Sequence, residues 1–489
     1  MKNILLTFVL SVALISCTST PDNPQKSEQL PKIFPDYIGV TIPTNIAPLD
    51  FNYAGGNFDC MDVTIKGVKG KQLHSNGEFA RFNIDDWHEM VNSNKGDSLI
   101  VTVCIKKNDR WIQYRNFSIY ISPYGLDEYG LTYRKIAPGY EVYSKMGIYQ
   151  RDLSNYDETS IFENTAVPGA CVNCHTSNRT DPKQFTFHVR GANGATIVQI
   201  DGKRDILTTK IDSTKGLGSC VYPYWHPSGK YCAYSTNKTK QAFHCVKNER
   251  IEVFDQASDL IVYEPATHSV HISPLLTTKE FFETFPAFSP DGKTLYFCSA
   301  KAQDIPTDYK KVRYNLCKIG FNPANCTFGS QVETVVDMAS KGKSITFPRP
   351  SYDGKYLMFT LADYGTFPIW HREADLWLLN LKNGSVRPLT EVNSTNTESF
   401  HNWNTNSHWF VFSSRRGDGL YTRLYLASID DQGKVSKPFL LPQENPWEYY
   451  DESLYSYNVP DFTKTKVVFD ARSAANEILD KKRTAISVR

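Results

Sequence analysis

The chain has 489 residues, a formal net charge of +2, 22% charged residues and 13% aromatic residues. Charge this evenly balanced supplies no basic stripe for nucleic acid, and a chain this aromatic is a folded body rather than a disordered one. The length exceeds one ordinary domain, and 28 Tyr with 28 Phe against 6 Met point to β-sheet rather than a helix bundle.

Met1-Lys2-Asn3 is a short basic start, and Ile4 to Ile15 is almost wholly apolar, too short to span a bilayer but right for a secretion signal. Leu14-Ile15-Ser16-Cys17 resembles the bacterial lipobox, whose cysteine is acylated and becomes the mature N-terminus. The resemblance implies a signal peptide over 1–16 and a membrane anchor at Cys17, with residues 17–30, rich in Pro, Ser, Asn and Gln, as a flexible lipidated tether. It also implies a place in a bacterial cell envelope. Thr18 to Asn23 has little acidic character, which favours a periplasm-facing anchor over a surface-exposed one.

Residues 31–161 carry β-branched, alternating runs separated by Gly or Asn turns, among them Met61 to Ile65, Leu99 to Ile105 and Phe117 to Ile121. The expectation is a β-sandwich of immunoglobulin type, with a single helical insertion at Asp85 to Val91. An exported chain can form disulfides. Cys60 with Cys104, and Cys317 with Cys326, are candidate pairs that the sequence cannot decide.

Cys171-Val172-Asn173-Cys174-His175 has the spacing Cys-x-x-Cys-His, by which haem is attached covalently in c-type cytochromes. Two thiols two positions apart each add to a haem vinyl group, and the adjoining imidazole reaches the iron. Three other readings compete. A thioredoxin-like redox pair needs the motif at the start of a helix, whereas Val167-Pro168-Gly169 before it and Ser177 to Pro182 after it read as loop. A zinc site needs a fourth ligand, and no second Cys/His pair has the usual spacing. A disulfide between cysteines this close is strained.

The haem reading therefore expects one covalent haem c in a linker over 162–184, anchored by Cys171 and Cys174 with His175 as axial ligand. For the other side of the iron, His188 is the first candidate and Met146 the runner-up. Arg190, two strand positions from His188, is a candidate partner for a haem propionate.

Repeats follow. Trp225-His226-Pro227-Ser228-Gly229-Lys230 is echoed by Phe288-Ser289-Pro290-Asp291-Gly292-Lys293 and by Pro350-Ser351-Tyr352-Asp353-Gly354-Lys355, each followed by an apolar strand. Degraded copies turn at Ser407 and Lys464, and a second strand pair follows in most units. Two hairpins per period make a four-stranded blade, and blades repeated at this period close into a β-propeller. The repeat resembles that of TolB-type (WD40-like, PD40) propellers, which implies about six blades over 185–489, the sixth proposed for Phe185 to Arg190 with Ala195 to Ile200.

The expected fold is thus all-β, a sandwich followed by a propeller. The same repeat precedes prolyl-oligopeptidase hydrolase domains, but the chain has no Gly-x-Ser-x-Gly elbow and no His-Glu-x-x-His, and Gly342-Lys343-Ser344 lacks the upstream glycine of a phosphate loop. The whole combination resembles exported Bacteroidetes-type lipoproteins that join a cytochrome motif to a TolB-like propeller. That resemblance implies no known substrate, and the first function hypothesis, from the haem motif, is electron transfer with an unidentified redox or envelope protein partner. Two alternatives stay open: a propeller that binds protein or polymer and carries a structural or sensing haem, and a peroxidase-like haem enzyme.

Overall fold

The repeated Ser-x-Asp-Gly-Lys stretches fold as turns because their side chains satisfy their own backbone. Ser289 Oγ donates to Asp291 Oδ1 at 2.6 Å, while the Lys293 and Thr294 N–H groups donate to Asp291 Oδ1 and Ser289 Oγ at 3.0 Å each. Ser351, Asp353, Lys355 and Tyr356 repeat the arrangement. Gly292 and Gly354 take φ of +70° and +71° there, the left-handed backbone that glycine adopts without steric cost.

In the computed structural model, which describes residues 20–137, 145–246 and 249–489, each such turn joins the inner strand of a sheet to its second strand. Among these residues six sheets stand as propeller blades. Blade 1 is Cys171–Asn178, Asp181–Arg190, Ala195–Ile200 and Lys203–Leu207. The inner strands of blades 2 to 5 are Cys220–Trp225, Phe281–Phe288, Ser344–Pro350 and Glu398–Trp403. Blade 6 is made from both ends of the propeller sequence. Its inner strand, Ser456–Thr463, pairs antiparallel with Gly130–Ile136, which leads on to Gly147–Asp152 and Glu158–Glu163.

This closure corrects the expected boundaries. Residues 130–163 are propeller, so the N-terminal unit ends before residue 130 rather than at 161. The stretch 162–184 is no linker, because the Cys-x-x-Cys-His motif lies inside the first strand of blade 1. Phe185 to Arg190 and Ala195 to Ile200 are the second and third strands of that blade. The strand expected after Lys464 is absent, since Gly130–Ile136 takes that place beside Ser456–Thr463, and the chain goes on to a helix, Ala471–Leu479.

The N-terminal unit has a seven-stranded sheet, a three-stranded sheet and the helix Ile84–Ser93, which is capped by the Asn83 side chain and buries Trp87. Two of its strand pairs are parallel, so the immunoglobulin arrangement is not confirmed. The unit shares one apolar core with blades 5 and 6, in which Val63, Val101 and Trp87 join Trp409, Leu424, Tyr133 and Phe462.

Neither candidate disulfide forms, since Cys104, Cys317 and Cys326 are free. Register explains it: Cys104 stands opposite Asp62 rather than Cys60, and Cys317 opposite Thr334 rather than Cys326. Cys17 lies outside the described residues, among which no helix is long and apolar enough to cross a membrane.

Candidate functional site

Every inner strand carries one irregularity at the same level. A non-glycine residue takes positive φ at Cys174 (+55°), Tyr222 (+48°), Phe285 (+53°), Phe347 (+52°), Phe400 (+49°) and Val459 (+48°). In blades 1 to 5 the register with the second strand shifts across that residue, which is the signature of a β-bulge. Left-handed backbone costs an ordinary residue roughly 1–2 kcal/mol. A bulge re-aims the side chain that it carries.

Most of these positive-φ residues line one cavity of about 1480 Å³, measured with its open mouth. Rings from blades 2 to 5 pack in sequence along it, with centroids 4.5 Å apart for Tyr222 and Phe285, 4.2 Å for Phe285 and Phe347, and 4.7 Å for Phe347 and Phe400. Blade 1 contributes Cys171, Cys174 and His175. Thr239, Gln241, Ile251 and Val253, from the long hairpin strands Cys232–Val246 and Glu249–Glu264, also line it. Glu252 of that hairpin accepts from the Tyr364 hydroxyl at 2.9 Å and pairs with His371 Nε2 at 3.2 Å, fixing it to the blade 4 side.

Four arginines face the same space, Arg134, Arg190, Arg349 and Arg415, and no aspartate or glutamate among the described residues lines it. The Arg415 guanidinium lies over the Trp370 ring, 3.7 Å from its centroid. The Arg134 Nε is buried with no hydrogen-bond partner. Asp461 and Asp255 lie close enough to act on Arg349 and Arg190 from behind the lining, yet the surface facing the cavity is positive and partly apolar, which suits an anionic ligand with a broad apolar body.

Both motif thiols are free. Burial pushes the Cys174 thiol up, against the pull of the Tyr222 backbone and the Arg190 and Arg134 charges. His175 is 2% exposed, and burial lowers its pKa to about 4. The Thr132 carbonyl lies near enough to favour the protonated ring, yet neither ring nitrogen completes a hydrogen bond. The imidazole is therefore neutral at pH 7 with a lone pair to give, which is the form that binds iron.

Of the residues singled out in the sequence, Cys171, Cys174, His175 and Arg190 meet in this cavity, whereas His188 and Met146 do not line it. His188 is buried behind the inner strand, its Nδ1 2.9 Å from Thr196 Oγ1. Met146 is fully buried next to Asn164, whose side chain accepts from the Met146 N–H.

Sequence reasoning missed His401. It is 2% exposed, lines the cavity from blade 5, and has no hydrogen bond at either ring nitrogen. Burial lowers its pKa to about 3, against the Met358 and Phe347 backbone groups, which lie near enough to favour the protonated ring without completing a hydrogen bond. The signal was present in the repeats, where Phe400-His401 occupies the place of Phe285-Pro286 and Phe347-Pro348.

A smaller cavity of about 550 Å³ lies farther along the inner strands and shares Arg349 and Asn402 with the first. It is walled by Tyr224, Tyr352 and Asp461. Among the described residues no group of three or more His, Cys, Asp or Glu is placed to hold a bare metal ion, which gives the zinc reading no set of ligands.

No known protein family profile matches the chain. A stretch of 170 residues is 24% identical to dipeptidyl-peptidase 5 of Porphyromonas gingivalis, covering 34% of this chain. The chain spans about a fifth of the length of that relative, 20% of it being matched. Among solved structures, TolB from Acinetobacter baumannii superposes with a TM-score of 0.43 at 13% identity, covering 78% of this chain and 85% of TolB. Prolyl oligopeptidase B from Galerina marginata superposes with a TM-score of 0.37 at 12% identity, covering 82% of this chain and 54% of that one.

Proposed function

We propose that the protein is a monohaem c-type electron carrier whose haem sits in the channel of a TolB-like propeller. The observation that carries this reading is the placement of the Cys-x-x-Cys-His motif. Its two free thiols and its unpartnered imidazole line one cavity, which is basic and has aromatic rings on its wall.

Cys171 and Cys174 are the covalent anchors. Each thiol adds across one vinyl double bond, its sulfur to one carbon and its proton to the other, so attachment needs no oxidant and expels no leaving group. His175 donates its neutral nitrogen to the iron. Arg190, with Arg134, offers charge-assisted hydrogen bonds to the two carboxylates at the haem edge. Tyr222, Phe347 and Phe400 supply the apolar wall that keeps water from the ring. A bound haem supplies an iron that gains or loses one electron, which is the chemistry of a carrier.

The remaining proposals follow from the sequence. Cys17 is the lipid anchor, the chain faces the periplasm, and the outer propeller surface docks a redox or envelope protein. The test is expression with haem-maturation machinery followed by denaturing electrophoresis and haem staining. The wild type should keep its haem, and Cys171→Ala/Cys174→Ala should lose it. A wild-type band without haem overturns the reading.

A further inference from the structure

The six bulges share a second feature. The residue after the positive-φ position is proline in blades 2, 3, 4 and 6, as Pro223, Pro286, Pro348 and Pro460, and histidine in blades 1 and 5, as His175 and His401. Proline suits the place, because a bulge leaves a residue out of the ladder and proline has no N–H to satisfy. Two blades replace it with an imidazole 2% exposed, and in both neither ring nitrogen has a partner. A buried polar group left unpaired is costly. Two such groups on one cavity call for a ligand between them.

Blades 1 and 5 are the two neighbours of blade 6, whose inner strand packs against both. The two imidazoles therefore reach the cavity from either side of blade 6, at the same level of the channel. Besides His175, His401 is the one imidazole or thioether among the described residues lining that cavity.

Resting on the haem reading above, we propose that His401 is the second axial ligand of the iron, opposite His175. Both axial positions are then filled by neutral imidazole nitrogens in the resting protein. Such a site passes electrons but admits peroxide or oxygen only if a side chain leaves, which separates a carrier from a peroxidase.

The test is absorption and paramagnetic-resonance spectroscopy on haem-loaded protein, with haem staining after denaturation run in parallel on the same samples. Wild type should be low-spin in both oxidation states and bind no carbon monoxide. His401→Gly should become high-spin and bind carbon monoxide stoichiometrically, and added imidazole should restore the low-spin spectrum. His401→Pro installs the residue that four other blades carry at this place, so it tests the ligand where the glycine variant fails to fold. It should give the same high-spin spectrum without rescue. His188→Ala and Met146→Leu should both stay low-spin.

A wild type that is high-spin and binds carbon monoxide, with haem still on the denatured band, overturns His401 as ligand and leaves the covalent haem standing. A low-spin His401→Pro does the same, and loss of the low-spin state in His188→Ala would then assign the ligand to His188. Absence of haem from the denatured wild-type band removes both proposals at once.

Discussion

Cys174 sits in left-handed backbone at φ +55°, a conformation that glycine would hold at no cost. Five other inner strands hold the same backbone without a thiol, so the strain belongs to the bulge. Cys174→Gly should stabilise the haem-free protein by about 1 kcal/mol in denaturant unfolding, the lower end of the cost of that backbone. The same change should remove one of two thioether bonds, seen as a red shift of the pyridine haemochrome band toward that of haem with one free vinyl. A haem-free variant weaker than wild type would show that the bulge is not strained. Asp50 offers a test away from the site. Burial pushes it up to about 8, against hydrogen bonds from the Phe82 N–H and the Tyr156 hydroxyl, each 3.0 Å long. The folded chain then holds the Asp50 proton up to about pH 8, whereas the unfolded chain releases it near pH 4. Between those values the folded state binds more protons, so stability falls as pH rises, by at most about 1.4 kcal/mol per pH unit. Asp50→Asn should lack that share of the slope, so its stability relative to wild type should climb from pH 4 to 8 in denaturant titrations. Parallel curves would refute the shift. At this scale the attachment motif was legible because its chemistry needs five consecutive residues, while His401 was not, because its meaning depends on which blade position it fills.

The elements divide in the same way. Turns were readable because Ser, Asp and Gly satisfy one another within six residues, as in Ser289 to Thr294. The helix Ile84–Ser93 was readable for the same local reason. Alternation identifies a strand but not its partner, so Gly130–Ile136 was assigned to the N-terminal unit although it pairs with Ser456–Thr463 from the far end of the chain. The motif lies in a strand although its flanks read as loop and 162–184 as a linker, because a Pro-Gly before it and a polar run after it mask a bulged strand. The long hairpin of blade 2 reaches the cavity wall from outside the inner ring, and Glu252 holds it through Tyr364 and His371. Glu252→Ala removes two charge-assisted hydrogen bonds, worth about 1.5–3 kcal/mol each. Limited proteolysis should cut the stretch 232–264 at least about tenfold faster in the variant, with the rest of the chain unaffected. An unchanged cleavage rate would mean that the hairpin is held elsewhere.

Over the whole molecule, closing the ring with strands from both ends of the propeller sequence fixes six inner strands around one channel, and the N-terminal unit braces blades 5 and 6 through a common core. Both histidines of the cavity flank blade 6, so the braced part of the ring carries the site. Gln25–Lys26 is already paired in the N-terminal unit, eight residues after Cys17. With Cys17 acylated, that unit lies within roughly 30 Å of the membrane, since an extended residue spans about 3.3–3.6 Å. Everything functional in this account rests on a covalent haem in the channel. The most direct measurement is the intact mass of the full chain after expression with haem-maturation machinery and complete denaturation. The account predicts the mass of the mature chain plus one haem, and the mass of the chain alone would contradict it.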